Sequence, residues 1–120
     1  MTVRKVLCVD DAQPDLLQIQ KVLASANLQV LAASSGADAV AQARASRPDL
    51  IFLDIVMPGM DGFAVLRELK RDPETCDIPV VFVSSKSNKA DLAWAKMQGG
   101  KGYVTKPYPP DAVLEEVKKF

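Results

Sequence analysis

The feature that most constrains this chain is a fivefold alternation of short apolar runs with segments of helical spacing. The runs are rich in β-branched and aromatic residues and contain apolar residues at successive positions, as in "DLIFLD" at 49–54. Strands of this kind are typical of parallel sheets that are buried on both faces. The predicted strands are 3–9, 28–33, 49–54, 80–83 and 102–105, and the predicted helices are 14–26, 36–46, 63 to near 71, 88–98 and 109–120. Helix-length crossovers between parallel strands predict an α/β fold: a doubly wound, flavodoxin-like sandwich with a five-stranded parallel sheet in the order 2-1-3-4-5.

Composition narrows the classes of protein to which the chain can belong. Its 120 residues are 48% hydrophobic, which predicts one domain over residues 1–120 with a single core. Fifteen basic residues balance fifteen acidic ones, so neither nucleic acid nor a membrane surface is an expected partner. No apolar stretch approaches the roughly 20 residues that cross a bilayer, and no signal peptide is evident. We therefore expect a soluble cytoplasmic protein, a monomer, whose Cys8 and Cys76 are free thiols.

Polar residues stand where four of the five predicted strands end. Asp10 and Asp11 follow the first strand, Asp54 ends the third, Ser84 follows the fourth and Lys106 follows the fifth. Ligands of such sheets bind beyond the carboxyl ends of the strands, so these side chains are expected to converge on one site. Three close carboxylates repel one another, and a divalent cation such as Mg²⁺ together with the Lys106 ammonium relieves that repulsion.

Four motifs in this order carry a family resemblance that covers the whole chain. They are "VDD" at 9–11, "FLDIVMPGMDG" at 52–62, "IPVVFVSS" at 78–85 and "YVTKP" at 103–107. The chain resembles the receiver domain of two-component response regulators, in particular the stand-alone, chemotaxis-type (CheY-like) receiver. The resemblance implies a phosphorylated signalling protein rather than an enzyme with a substrate of its own.

The resemblance also implies a metal site and a phosphoacceptor. Asp54 would accept a phosphoryl group. Asp11 and Asp54 would ligate Mg²⁺ directly, Asp10 would assist mostly through water, and the backbone carbonyl of Val56 would complete the protein ligands.

The remaining implied roles belong to the switch. Lys106 would pair with the phosphoryl oxygens, Ser84 would hydrogen-bond one of them, and Tyr103 would change rotamer on activation. The peptide bond between Lys106 and Pro107 would be cis. The fourth helix, fifth strand and fifth helix would then form the surface that binds a downstream protein.

The phosphodonor must be a second protein. Donors in such systems carry a phosphohistidine, and this chain has no histidine. The expected donor is a histidine kinase or a histidine phosphotransfer protein. A process such as motility, chemotaxis or pilus control is suggested by the absence of an output domain in these residues.

Simpler interpretations exist for the single residues. Asp10 suits a turn or a helix cap, Ser84 a strand end, and Tyr103 a core aromatic. Trp94 suits either packing or the anchoring of a partner. Asp61 is assigned to its turn.

Three other classes of protein compete with a stand-alone receiver. One is a receiver domain excised from a larger response regulator or hybrid kinase. A second is a flavodoxin-like cofactor protein, but the acids of "DDAQPD" at 10–15 would repel a phosphate. A third is a phosphatase of the haloacid dehalogenase type, which needs an acid at the position of Val56.

Overall fold

A computed structural model describes residues 2–86 and 88–120. It confirms the predicted alternation of five strands with five helices. The elements in chain order are β1 (Lys5–Val9), α1 (Gln13–Ala24), β2 (Gln29–Ala33), α2 (Gly36–Ser46), β3 (Leu50–Asp54), α3 (Gly62–Arg71), β4 (Val80–Ser84), α4 (Lys89–Met97), β5 (Gly102–Thr105) and α5 (Pro110–Lys118). Several predicted bounds are too long; the first helix, for example, ends at Ala24, and Ala26 lies beyond it and is exposed.

The strands form one parallel sheet in the order β2-β1-β3-β4-β5, as predicted. Every residue of β3 and β4 is buried, whereas the edge strands β2 and β5 are partly exposed. The continuous apolar character of the two inner strands therefore has the expected cause, since helices cover both of their faces.

Two apolar clusters lie on opposite faces of the sheet. Phe82 belongs to the cluster that α2, α3 and α4 cover, and Phe52 belongs to the one that α1 and α5 cover. Both phenylalanine side chains are almost completely buried. Because side chains alternate between the faces of a strand, the inner strands supply both clusters at once.

Side-chain caps begin three of the helices at the carboxyl edge of the sheet. Ser35 accepts a hydrogen bond from the backbone N–H of Asp38, Asn88 does the same for Asp91, and Asp61 for Ala64. The assignment of Asp61 to its turn is thereby confirmed, with the added role of a helix cap.

The two cysteines are free, as predicted, with Cys8 buried and Cys76 half-buried. Within residues 2–86 and 88–120, no helix combines the length and the apolar character that crossing a bilayer requires.

Candidate functional site

Three aspartates meet at the carboxyl edge of the sheet. β1 and β3 are paired so that Val9 lies beside Leu53, which brings the following residues, Asp10 and Asp54, next to each other. One carboxylate oxygen from each of Asp10, Asp11 and Asp54 lies within 4.8 Å of the other two. The predicted convergence of these side chains is confirmed. We call these three residues the acid cluster.

Asp10 and Asp11 have different surroundings. Asp10 is 6% exposed, its Oδ1 accepts the backbone N–H of Ala12 at 3.0 Å, and its Oδ2 accepts Lys106 Nζ at 2.7 Å. Asp11 is exposed. Both oxygens of Asp10 are therefore engaged by the protein, while Asp11 stands open to a ligand from solvent.

Lys106 joins the acid cluster to the start of α1. Its Nζ lies 2.7 Å from Asp10, 2.9 Å from Asp15 and 3.8 Å from Asp54. The Lys106–Pro107 peptide bond is cis, as the resemblance implied, and the Lys106 N–H donates to the carbonyl of Ser84 at 2.8 Å. Burial opposes the charged form, but the hydrogen bonds to Asp10 and Asp15 outweigh it and raise the pKa of Lys106 above its ordinary value.

Asp15 is a site residue that sequence reasoning missed. It lies in the first turn of α1, where an acid is explained well enough by the positive end of the helix dipole. Its position in the first turn of a helix gives no signal beyond that ordinary explanation.

The surroundings of Asp54 oppose its ionisation. It is 7% exposed, and its burial together with the neighbouring Asp10 raises its pKa to about 6. Lys106 offsets part of this shift. A carboxylate in this environment is stabilised by any added positive charge.

Ser84 and Tyr103 are linked through one residue. Ser84 is fully buried at the end of β4, and its Oγ accepts the backbone N–H of Lys86 at 3.2 Å. The Tyr103 hydroxyl donates to the backbone carbonyl of the same Lys86. A movement of the backbone at residue 86 would therefore change the hydrogen bonds of both side chains.

The loop after β3 is held close to Asp54 by Gly62. The Gly62 N–H donates to the carbonyl of Ile55 at 2.8 Å, and a Cβ at residue 62 would collide with the carbonyl oxygen of Asp54. Only glycine allows α3 to begin this close to the end of the strand. Val56, whose carbonyl was predicted as a metal ligand, lies in this loop with its side chain 56% exposed.

The donor atoms of the acid cluster suit a hard divalent cation. They are carboxylate oxygens, one residue is open to solvent, and the acidic groups exceed the positive charge that Lys106 provides. Mg²⁺ is typically bound by one or two carboxylates and keeps several waters. The residues present therefore fit this ion.

The doubly wound sheet thus brings carboxylates from the ends of two adjacent strands together beside a lysine that follows a third strand. Residues 6–118 match the family model described as the response regulator receiver domain, and the chain belongs to that family. It therefore acts in phosphorylation-dependent two-component signalling. This membership favours the receiver interpretation over the flavodoxin-like and phosphatase alternatives.

Relatives of similar length support this assignment. The chain is 40% identical to protein PilH of Pseudomonas aeruginosa over 94% of this chain and 93% of PilH. It is 31% identical to protein PilG of the same organism over 95% of this chain and 84% of PilG. A solved structure of the chemotaxis protein CheY4 of Vibrio cholerae superimposes with a TM-score of 0.91 at 26% identity and covers 98% of both chains.

Proposed function

We propose that Asp54 accepts a phosphoryl group from a phosphohistidine of a separate histidine kinase or phosphotransfer protein. The observation that carries this proposal is the burial of Asp54 beside two further aspartates, with an ammonium 3.8 Å away. Asp11 and Asp54 would hold Mg²⁺ directly, Asp10 through water, and the Val56 carbonyl would add a further ligand. The bound ion supplies positive charge to the transferred phosphoryl oxygens.

The transfer exchanges one bond to phosphorus for another. The phosphorus–nitrogen bond of the donor breaks, its imidazole leaves, and a bond forms between phosphorus and a carboxylate oxygen of Asp54. Anionic reactants repel each other, so the protein contributes mainly positioning and positive charge. Lys106 provides that charge on the protein side, because its Nζ already lies between the acid cluster and Asp15.

The hydrogen bonds of residue 86 support a route from phosphorylation to a change of surface. The phosphoryl group carries about two negative charges and adds strong acceptors next to Ser84. If Ser84 turns to donate to it, the bond from the Lys86 N–H to Ser84 Oγ is disturbed, and the Lys86 carbonyl shifts from the Tyr103 hydroxyl. Tyr103 is then free to adopt another rotamer.

The surface that this change reaches consists of α4, β5 and α5, and we propose it as the binding face for a downstream protein. α4 has one buried residue, Ala95, among the nine of the helix. Leu92, Trp94 and Met97 are 39%, 49% and 76% exposed. The ring centroids of Trp94 and Phe63 lie 6.5 Å apart in an edge-on arrangement, and about half of the Trp94 surface stays exposed. This exposure supports the interpretation that Trp94 anchors a partner.

The relatives suggest the process. PilH and PilG are Pil proteins, and CheY4 is a chemotaxis protein. These relatives support a role in motility, chemotaxis or pilus control. We further propose that residues 1–120 form one receiver domain that acts as a monomer, since the described strands and helices complete both apolar clusters within one chain. The cytoplasm is the location that we propose for it.

The phosphoacceptor is tested by incubating the protein with a small phosphoramidate and Mg²⁺ and measuring the mass of the intact chain. One phosphoryl group, stable in acid and labile in base, is expected on the wild type and none on Asp54→Ala. Asp77→Ala, which removes an exposed aspartate from the loop between α3 and β4, is the matched control and should be phosphorylated normally. Phosphorylation that persists in Asp54→Ala would contradict the proposal.

A further inference from the structure

The ammonium of Lys106 is shared unequally among three carboxylates. Two of its contacts, to Asp10 at 2.7 Å and to Asp15 at 2.9 Å, are hydrogen bonds. The third, to Asp54 at 3.8 Å, is longer than a hydrogen bond. In this resting arrangement the ammonium is therefore bonded to two residues that are not the phosphoacceptor.

Asp10 and Asp15 differ in how firmly they hold Lys106. The Asp10 side chain is 8% exposed and also accepts a backbone N–H, so its position is set by the end of β1. The Asp15 side chain is 43% exposed, and within the described residues it forms a hydrogen bond with Lys106. Water can replace Asp15 as a partner, so this bond is the easier of the two to break.

We propose that Asp15 is a positioning residue that retains the Lys106 ammonium in the resting state and thereby slows phosphorylation of Asp54. This inference rests on the proposed function and adds a regulatory contact to it. As the phosphoryl group arrives, Lys106 moves toward the oxygens on Asp54, and the bond to Asp15 weakens. Removing the charge of residue 15 makes this movement easier.

The test compares initial rates of phosphorylation by a small phosphoramidate in Mg²⁺. Asp15→Asn is expected to be phosphorylated about two- to fivefold faster than the wild type at low ionic strength, the range that a partly exposed ion pair can supply. Added salt should reduce this difference, because screening weakens the same pair. The matched control is Glu74→Gln, which removes one exposed negative charge paired with Arg47 and should leave the rate unchanged.

A second comparison separates positioning from simple attraction of the anionic donor. Lys106→Met keeps most of the aliphatic stem but removes the ammonium. Adding Asp15→Asn to Lys106→Met should therefore leave the phosphorylation rate equal to that of Lys106→Met alone. An unchanged or slower rate in Asp15→Asn, or the same acceleration with methionine at residue 106, would overturn the proposal.

The resting protein provides an independent measurement. The NMR resonances of the Lys106 ammonium should shift in Asp15→Asn and stay in place in Glu74→Gln, whether or not any phosphoryl group is transferred. An unshifted Lys106 signal in Asp15→Asn would show that Asp15 does not hold the ammonium. If instead the wild type took up no phosphoryl group while this signal shifted, the proposed function would fail and the positioning contact would stand.

Discussion

At the scale of single residues, two neighbouring aspartates of the acid cluster have different surroundings. Asp10 is bonded to Lys106 and to the N–H of Ala12, while Asp11 is exposed at the mouth of the site. We expect Asp11→Ala to weaken Mg²⁺ binding more than Asp10→Ala. Removing a residue that acts through an outer contact typically lowers metal affinity on the order of 10- to 100-fold. Removing the direct ligand Asp11 should lower the Mg²⁺ affinity more than removing Asp10 does.

Calorimetric titration with Mg²⁺ measures both affinities directly. Asp77→Ala again serves as the control, because it removes an exposed carboxylate that is not part of the acid cluster. Equal losses for Asp10→Ala and Asp11→Ala would contradict the division between an outer and a direct ligand.

The site residues that the sequence predicts lie at strand ends, whereas the one that it misses is brought into the site by a distant side chain. Asp10, Asp54 and Lys106 could be predicted because a strand end is visible in the hydrophobic pattern, and parallel strands end at the same edge. Asp15 is a site residue only because the side chain of Lys106, which follows β5 and lies 91 positions away in the chain, reaches it. No local pattern encodes that reach.

Glu116 is a second residue whose position depends on a contact with a distant part of the chain. The sequence places Val113, Leu114 and Val117 on one face of the last helix. The structure buries Val113 and Glu116 and leaves Leu114 and Val117 partly exposed. A Cβ at Gly102 would collide with Glu116 Oε1, so the missing side chain on β5 creates the space for that carboxylate. Its other oxygen, Oε2, pairs with Lys119 at 2.6 Å.

At the scale of elements, one carboxylate joins the starts of two strands. Asp49 precedes β3, and its Oδ2 accepts the backbone N–H groups of Arg4 at 2.9 Å and Lys5 at 3.0 Å, at the beginning of β1. These two hydrogen bonds lower the pKa of Asp49 below its ordinary value. The contact therefore stabilises the fold more strongly when Asp49 is ionised than when it is protonated.

Asp49→Ala should lower the free energy of unfolding by about 1–2 kcal/mol at neutral pH, because two backbone donors lose a charged acceptor. Since the pKa is lower in the folded state than in the unfolded state, the stabilisation is complete above the unfolded value and is lost as the pH falls through the folded one. Urea unfolding of the wild type and the variant from neutral to strongly acid pH measures this. A difference in stability between the two proteins that does not narrow in strong acid would contradict the role of the ionised carboxylate.

At the scale of the whole molecule, a chain without net charge concentrates negative charge at one edge of its sheet. Four carboxylates lie there, those of Asp10, Asp11, Asp15 and Asp54, and three of them, all but Asp11, contact the ammonium of Lys106. Folding brings these charges together, so the site works against the stability that the two apolar clusters provide. A bound cation would remove much of that conflict.

The conflict predicts that neutralising Asp54 stabilises the metal-free protein. The pKa of Asp54 is raised to about 6, so ionising this carboxyl costs more free energy in the folded state than in the unfolded state. Asp54→Asn keeps the size of the side chain and should raise the free energy of unfolding by roughly 1–3 kcal/mol in the presence of EDTA. Saturating Mg²⁺ should narrow the difference, because the ion binds the folded wild type and stabilises it by mass action. Urea unfolding of both proteins with and without the ion tests this, and a variant less stable than the metal-free wild type would show that the acid cluster carries no such strain.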